Sequence, residues 1–337
     1  MYQGVLGVSR YVIRRVLMSI PTLFVISVVV FVVIQLPPGD YMTTVQLQLQ
    51  SLGGLTEAEA AKVAQELRKV YGLDKPLYVQ YLVWMKNIIT RGDFGFSFQY
   101  RKPVADVIWE RLGWTILIAS LCHLISTLVG IMIGIFSATH QYRIGDYVAT
   151  FFAFVGLSTP SFFLALVAMY ILASRGIQPG GLFSQHYLFA PWSWGKFIDL
   201  LKHIWIPVVI VGLAGTARNM RVMRGNLLDV LNQPYVLTAR SKGLSERTVV
   251  FKHAVVNALH PIIMYQGMVL PFMISGEIVA STVLNIPTAG PMFYSALVSQ
   301  DMYLAGSFLL LVAVFLVAGN LLADVLLAWI DPRVRYD

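Results

Sequence analysis

Few residues of this chain have a type and setting suited to chemistry, and Glu277 is the sharpest. It stands alone between two uncharged runs, Ala254 to Gly276 and Ile278 to Gln300. An ionisable side chain in such apolar surroundings is a functional candidate by default. It can line a path for a polar solute, or it can sit at an outer surface or hydrogen-bond to a neighbouring helix; both readings stay open. His123 has the same pair of readings, and its neighbour Cys122, the single cysteine, excludes an intrachain disulfide. Catalytic patterns are missing. No Gly-x-x-x-x-Gly-Lys-[Ser/Thr] loop occurs, so the chain is not its own ATPase, and neither a His-Glu-x-x-His zinc motif nor a Gly-x-Ser-x-Gly elbow is present. Paired intramembrane carboxylates, expected of a proton-coupled carrier, are lacking as well.

A different kind of chemistry is suggested by residues 233–261, a charged, helix-forming island between apolar segments. Pro234 fits a first helical position and Gly243 a stop, while Ser245 can cap a second helix running towards Pro261. A helical knuckle with little of its own to bury makes sense as a plug for another protein's groove. The alternative is an ordinary solvated loop.

These residues must be positioned by membrane helices. Hydrophobic residues make up 57% of the 337 and charged ones only 12%, against about a quarter charged in an ordinary soluble domain. Uncharged runs also cover Leu112 to Tyr142, Tyr147 to Ser174 and Met302 to Ala323, and a span needs roughly 20 apolar residues. Six spans are predicted, at about 12–34, 114–138, 147–173, 204–224, 262–284 and 304–329, the first an uncleaved signal-anchor. The fold class is therefore an all-α integral membrane protein. Arg218, Arg221 and Arg224 follow the fourth span's core at helical spacing, where long side chains can snorkel to headgroups. Gly130-Ile-Met-Ile-Gly134 offers a small-x-x-x-small face for close helix approach.

Orientation follows from the basic residues. Arg10, Arg14 and Arg15, then Arg143, then the 218–252 cluster, then Arg333 and Arg335 all fall on one side of a six-span topology. The positive-inside rule makes that side the cytosol, with both termini inside. The formal charge of +8 is thus a topology signal, and no basic patch interleaved with stacking aromatics suggests nucleic acid. Residues 35–112 form a helical insertion on the other side. There Thr56-Glu-Ala-Glu59 predicts a capping box opening a helix to Tyr71 and a stop at Gly72, with Val63, Leu67 and Val70 on one stripe. A second helix is predicted from Pro76 to near Gly92.

The loop sequence Tyr235-Val-Leu-Thr-Ala-Arg-Ser-Lys-Gly-Leu244, followed by His253-Ala-x-x-Asn257-Ala-x-x-Pro261, closely resembles the cytoplasmic signature loop of ABC importer permeases of the dipeptide/oligopeptide family, in their first (B-type) subunit. Ala239 and Gly243 fall on the Ala and Gly of that loop's pattern, although Pro234 stands where an acid is common. Tyr71-Gly-Leu-Asp-Lys-Pro-Leu-x-x-Gln-Tyr81, Gly92-Asp-Phe-Gly-x-Ser97, Arg111-Leu-x-x-Thr115 and the amino-terminal Arg14-Arg15-x-Leu with Pro38-Gly39-Asp40 extend the resemblance over nearly the whole chain. It implies a coupling helix formed by Tyr235, Thr238, Ala239, Arg240, Lys242, Gly243 and Leu244 that docks on an ATPase subunit.

It also implies partners: a second homologous permease chain, two ATPase subunits that bind the ATP and Mg this chain does not, an extracytoplasmic solute-binding protein, and lipid of a bacterial or archaeal inner membrane. Asp74, Asp93 and Arg101 are candidates for docking the binding protein. The expected division is 1–34, 35–112 and a five-helix core at 113–337 whose coupling loop spans 225–261. Before the last span the pattern departs: the family's acid six positions before a Pro-Gly-x-Gly turn is replaced by Ser281, ahead of Pro287-Thr-Ala-Gly290. Peptides lead as substrate, with oligosaccharides or opines as alternatives in the same transporter class. A stand-alone secondary carrier is the competing class, for which the knuckle would have no use.

Overall fold

The structure is a computed structural model that describes residues 2–177, 180–265 and 278–330. The described elements are helical apart from one short antiparallel pair, β1 (Phe96–Ser97) with β2 (Lys102–Pro103). Two compact units emerge, one built from residues 1–114 and 288–321, the other from 115–287.

The first unit begins with α1 (Tyr2–Gln35), which continues through Pro21. α2 (Tyr41–Gly53), α3 (Glu57–Tyr71) and α4 (Leu77–Arg91) follow. Asp40 caps α2 and Thr56 caps α3, each with a reciprocal capping box, while Gly72 and Gly92 end α3 and α4 in the left-handed conformation. The predicted boundaries of α3 and α4 thus hold. The predicted stripe on α3 does not. Val63 and Val70 are exposed, whereas Ala60 and Ala64 are fully buried. α3 lies close against α2, so the contact face takes small side chains, and Leu67 alone of the three joins the cluster around Met42, Ala64 and Phe98. The unit closes with α14 (Ala289–Val298) and α15 (Met302–Ile330), whose Met292, Leu304 and Phe308 pack with Val107 and Ile108 of α5 (Val104–Thr139).

The second unit holds the rest of α5, then α6 (Ile144–Ser158), α7 (Ser161–Ser174), α8 (Trp194–Leu231), α9 (Pro234–Ser241), a knuckle built from α10 (Glu246–Thr248), a π-helical turn (Val249–Ala254) and α11 (Val255–Ala258), α12 (260–265) and α13 (Ile278–Val283). The expected third span, 147–173, is not one straight helix. α6 and α7 meet at a 100° bend. Pro160 has no N–H to continue the ladder and pushes Thr159 into extended backbone, at φ −91° and ψ 122°. The Gly130 and Gly134 face packs as expected: a Cβ on Gly130 would lie 2.6 Å from Asn219 Cβ, and one on Gly134 2.6 Å from Met223 Cβ. Only bare backbone lets α5 and α8 approach this closely.

Among the described residues, four helices are long and apolar enough to cross a membrane, or five if the bent pair is one span. They match the first, second, fourth and sixth expected spans, with α8 extending well past 204–224 at both ends. The fifth expected span falls largely on residues outside those described.

Candidate functional site

The 233–261 island folds as a knuckle seated on the end of α8. Pro234 occupies the first turn of α9, and Gly243 follows it at φ +77°, a conformation open to glycine at no steric penalty. The Ser245 side chain accepts from Thr248 N–H and starts the second helix. The π-helical turn widens that helix, a feature common at functional sites.

The knuckle has a core after all, but it borrows half of it. Val236 and Ala239 of α9 and Val249, Val250, Ala254, Val255 and Ala258 pack in one cluster with Met223 and Leu227 of α8 and Ala138 of α5. Polar links reinforce the seat. Asn226 donates to the Ala258 carbonyl at 3.3 Å, and Arg240 Nη1 donates to the Leu231 carbonyl at 3.4 Å. Arg240 also holds Glu246 through two hydrogen bonds of 2.6 and 3.1 Å, which keep the Glu246 carboxyl below its usual range. Asn257 donates to the Tyr235 hydroxyl at 3.0 Å, joining the two helices.

The expected coupling residues therefore divide into two sets. Ala239 is buried and Arg240 is half-buried, and both act within the knuckle. Tyr235, Thr238, Lys242, Gly243 and Leu244 are exposed, with Leu237 and Phe251 beside them. Tyr235, Leu237, Leu244 and Phe251 are thus exposed on an internally hydrogen-bonded frame.

The other expected residues are placed less decisively. Glu277 lies outside the described residues. His123 is half-buried on α5, and its carbonyl accepts from Ser126. Asp74, Asp93 and Arg101 are exposed on the first unit and form no cluster; Asp93 accepts from Gly95 N–H in a tight turn, and Arg101 sits at φ +51°.

The arginines after the fourth span's core need a correction. Arg224 does not reach out to headgroups. Its guanidinium forms a bidentate pair with Asp146 of α6, at 2.8 and 2.9 Å, and donates to the Ser137 hydroxyl of α5 at 3.1 Å. Ser137 donates in turn to Asp146, which also accepts from Tyr142 N–H. Asp146 is 1% exposed and Ser137 fully buried. A carboxylate out of water needs such partners, and an inward-facing fork satisfies it better than solvent at the rim. Arg218 likewise has a protein partner, the Tyr265 hydroxyl at 2.7 Å, and lies over that ring. Sequence reasoning passed over Asp146, though the signal existed: it is the one acid between the uncharged runs 112–142 and 147–174.

Residues 130–336 match the family described as the binding-protein-dependent transport system inner membrane component, and residues 8–119 match its N-terminal companion. The oligopeptide transport system permease protein AppB of Bacillus subtilis is 35% identical over 97% of this chain and 100% of its own length. The dipeptide transport system permease protein DppB of Alkalihalophilus pseudofirmus is 32% identical over 97% of this chain and 99% of its own. The glutathione transport system permease protein GsiC of Escherichia coli K12 shows 32% identity with the same coverage. The family match covers well over half the chain, and this chain belongs to the inner-membrane permease components of binding-protein-dependent ABC importers.

Proposed function

We propose that this chain forms one half of the pathway by which di- or oligopeptides enter the cell through ATP-driven alternating access. The observation that carries the mechanism is the knuckle. It is seated on the permease's own helices and exposes Tyr235, Leu237, Leu244 and Phe251 together with Lys242. Two ATPase subunits closing on ATP and Mg would push on this surface. The peptide assignment is supported by the names of the relatives matched along their full length, which handle oligopeptides, dipeptides and glutathione.

The rest of the reading follows from topology. Six spans with both termini in the cytosol put the knuckle inside and residues 35–112 outside, where an external binding protein would deliver solute near Asp74, Asp93 and Arg101. A second homologous permease chain completes the pathway, as a heterodimer, with Glu277 and His123 as candidates to face it. The test is gentle solubilisation from the native membrane, pull-down and mass spectrometry, followed by uptake of tritiated dialanine in competition with oligosaccharide. Walker-motif ATPases and a second permease among the captured chains, with dialanine uptake, support the proposal. Recovery of the chain alone, where a known ABC complex survives, refutes it.

A further inference from the structure

The Asp146–Arg224–Ser137 clasp is weak evidence for a purely stabilising role. A buried ion pair must offset the desolvation of two charges, and replacing one with packed apolar residues is often neutral or stabilising. Its position suggests another use. Arg224 lies on α8 one residue beyond Met223 and three before Leu227, and both of those belong to the cluster that seats the knuckle. Ser137 precedes Ala138, the residue that α5 contributes to the same cluster. The knuckle, the end of α8 and the end of α5 thus form one body.

α6 packs along α8 as well. Away from the clasp, Gly156 meets Leu213 and Ala217 there, at 3.1 and 3.5 Å for an added Cβ. Between that contact and the clasp runs an apolar groove of about 450 Å³, lined by Phe136 of α5, Val148 and Phe152 of α6 and Met220 of α8. Near its start α6 is held to the knuckle body by the charged fork and by the Phe136 ring of α5, which would lie 2.9 Å from a Cβ on Gly145. α6 leads directly into the 100° bend and α7.

We propose that Asp146 and Arg224 are positioning residues that transmit the movement of the knuckle to the bent α6–α7 pair, an inference that rests on the importer reading above. The fork fixes direction as well as distance, because two parallel hydrogen bonds resist rotation where a single contact would allow it. A displacement of α9 then carries α6 with it, and the groove leaves room for α6 to change its angle on α8.

The test measures ATP hydrolysis by the complex in phosphatidylethanolamine–phosphatidylglycerol vesicles, with and without saturating dialanine-loaded binding protein. Four forms are compared: wild type, Asp146→Asn, Arg224→Lys and the double variant Asp146→Leu/Arg224→Leu. The double variant removes both charges of the clasp together and so leaves no unpaired charge inside, unlike Asp146→Asn. Stimulation by the binding protein should fall at least about fivefold in the double variant, the lower end of ordinary coupling between sites, and less in Arg224→Lys, which keeps the charge and loses the fork. Wild-type stimulation in an assembled double variant overturns the proposal alone. Absence of stimulated hydrolysis in the wild type overturns the importer reading and this inference with it.

Discussion

Adding one methyl group at either of two glycines on α5 should loosen the chain, although the same change at glycines that face open space should tighten it. A Cβ at Gly130 would meet Asn219 Cβ at 2.6 Å and the Thr216 carbonyl oxygen at 2.8 Å; one at Gly134 would meet Met223 Cβ at 2.6 Å and the Met220 carbonyl oxygen at 2.8 Å. Neither obstacle is the far end of a flexible side chain, so relief requires the two helices to part. Bringing a 2.6 Å approach out to an ordinary 3.4 Å opens the seam by most of an ångström. A gap of that size forfeits about a quarter to a half of the dispersion attraction of the lining atoms. Overpacking of this kind costs about 1–3 kcal/mol, and a clash with backbone belongs at the upper end. Alanine also gains about 1 kcal/mol of helix propensity over glycine. The net expectation for Gly130→Ala and Gly134→Ala is a loss of about 2 kcal/mol each. Gly113 on α5 and Gly225 on α8 have nothing within 4 Å of a built Cβ, so alanine there keeps only the propensity gain. The assay is thermal unfolding of the detergent-solubilised protein followed by loss of its monodisperse chromatographic peak. Gly130→Ala or Gly134→Ala melting at or above wild type would refute the close-approach reasoning.

Other expectations follow from single groups. Gly243→Trp should abolish uptake while the protein reaches the membrane at normal levels, since φ +77° and an exposed docking face both exclude the indole; normal uptake would sink the coupling role. Asp301 is fully buried and accepts from Ser97 Oγ, Gln99 N–H and Leu304 N–H, so Asp301→Asn, which turns one acceptor into a donor, should cost about 1–3 kcal/mol in the same unfolding assay. Asp40 and Asp301, both of the first unit, should respond to pH in opposite ways. Burial pushes Asp40 up, but hydrogen bonds from Arg68 and Thr43 outweigh it and hold the carboxyl below its ordinary value. Its contribution is therefore present above the unfolded carboxylate value near 3.8 and lost as pH falls through the lower folded value. Arg68→Met should weaken that acid sensitivity. Burial raises Asp301, and its donors offset this only in part, so its ionisation takes stability away as pH rises through the raised value; Asp301→Asn should flatten that limb.

What could be read in advance was whatever depends on neighbours in the chain. The capping box at Thr56, the stops at Gly72 and Gly92, and Pro234 and Gly243 around α9 are local rules, obeyed because a helix end must satisfy its own N–H and C=O groups whatever surrounds it. Periodicity served less well on α3, because a stripe says which residues share a face and nothing of how close the facing helix comes; at that distance alanine is buried and valine is left outside. The break at Pro160 was legible in principle, but an uncharged run long enough to span outweighed a single proline. The clasp shows the deeper limit. Arg224 belonged to a series of arginines whose spacing suited a water-facing rim, and nothing in that spacing separates an outward side chain from one turned inward. The information lay in Asp146, seventy-eight positions away in sequence. A lone acid between two uncharged runs has to be neutralised by something, and the nearest unclaimed cation on a facing helix is the partner to look for. The same logic applied to Glu277 makes a cation or a polar solute its expected counterpart.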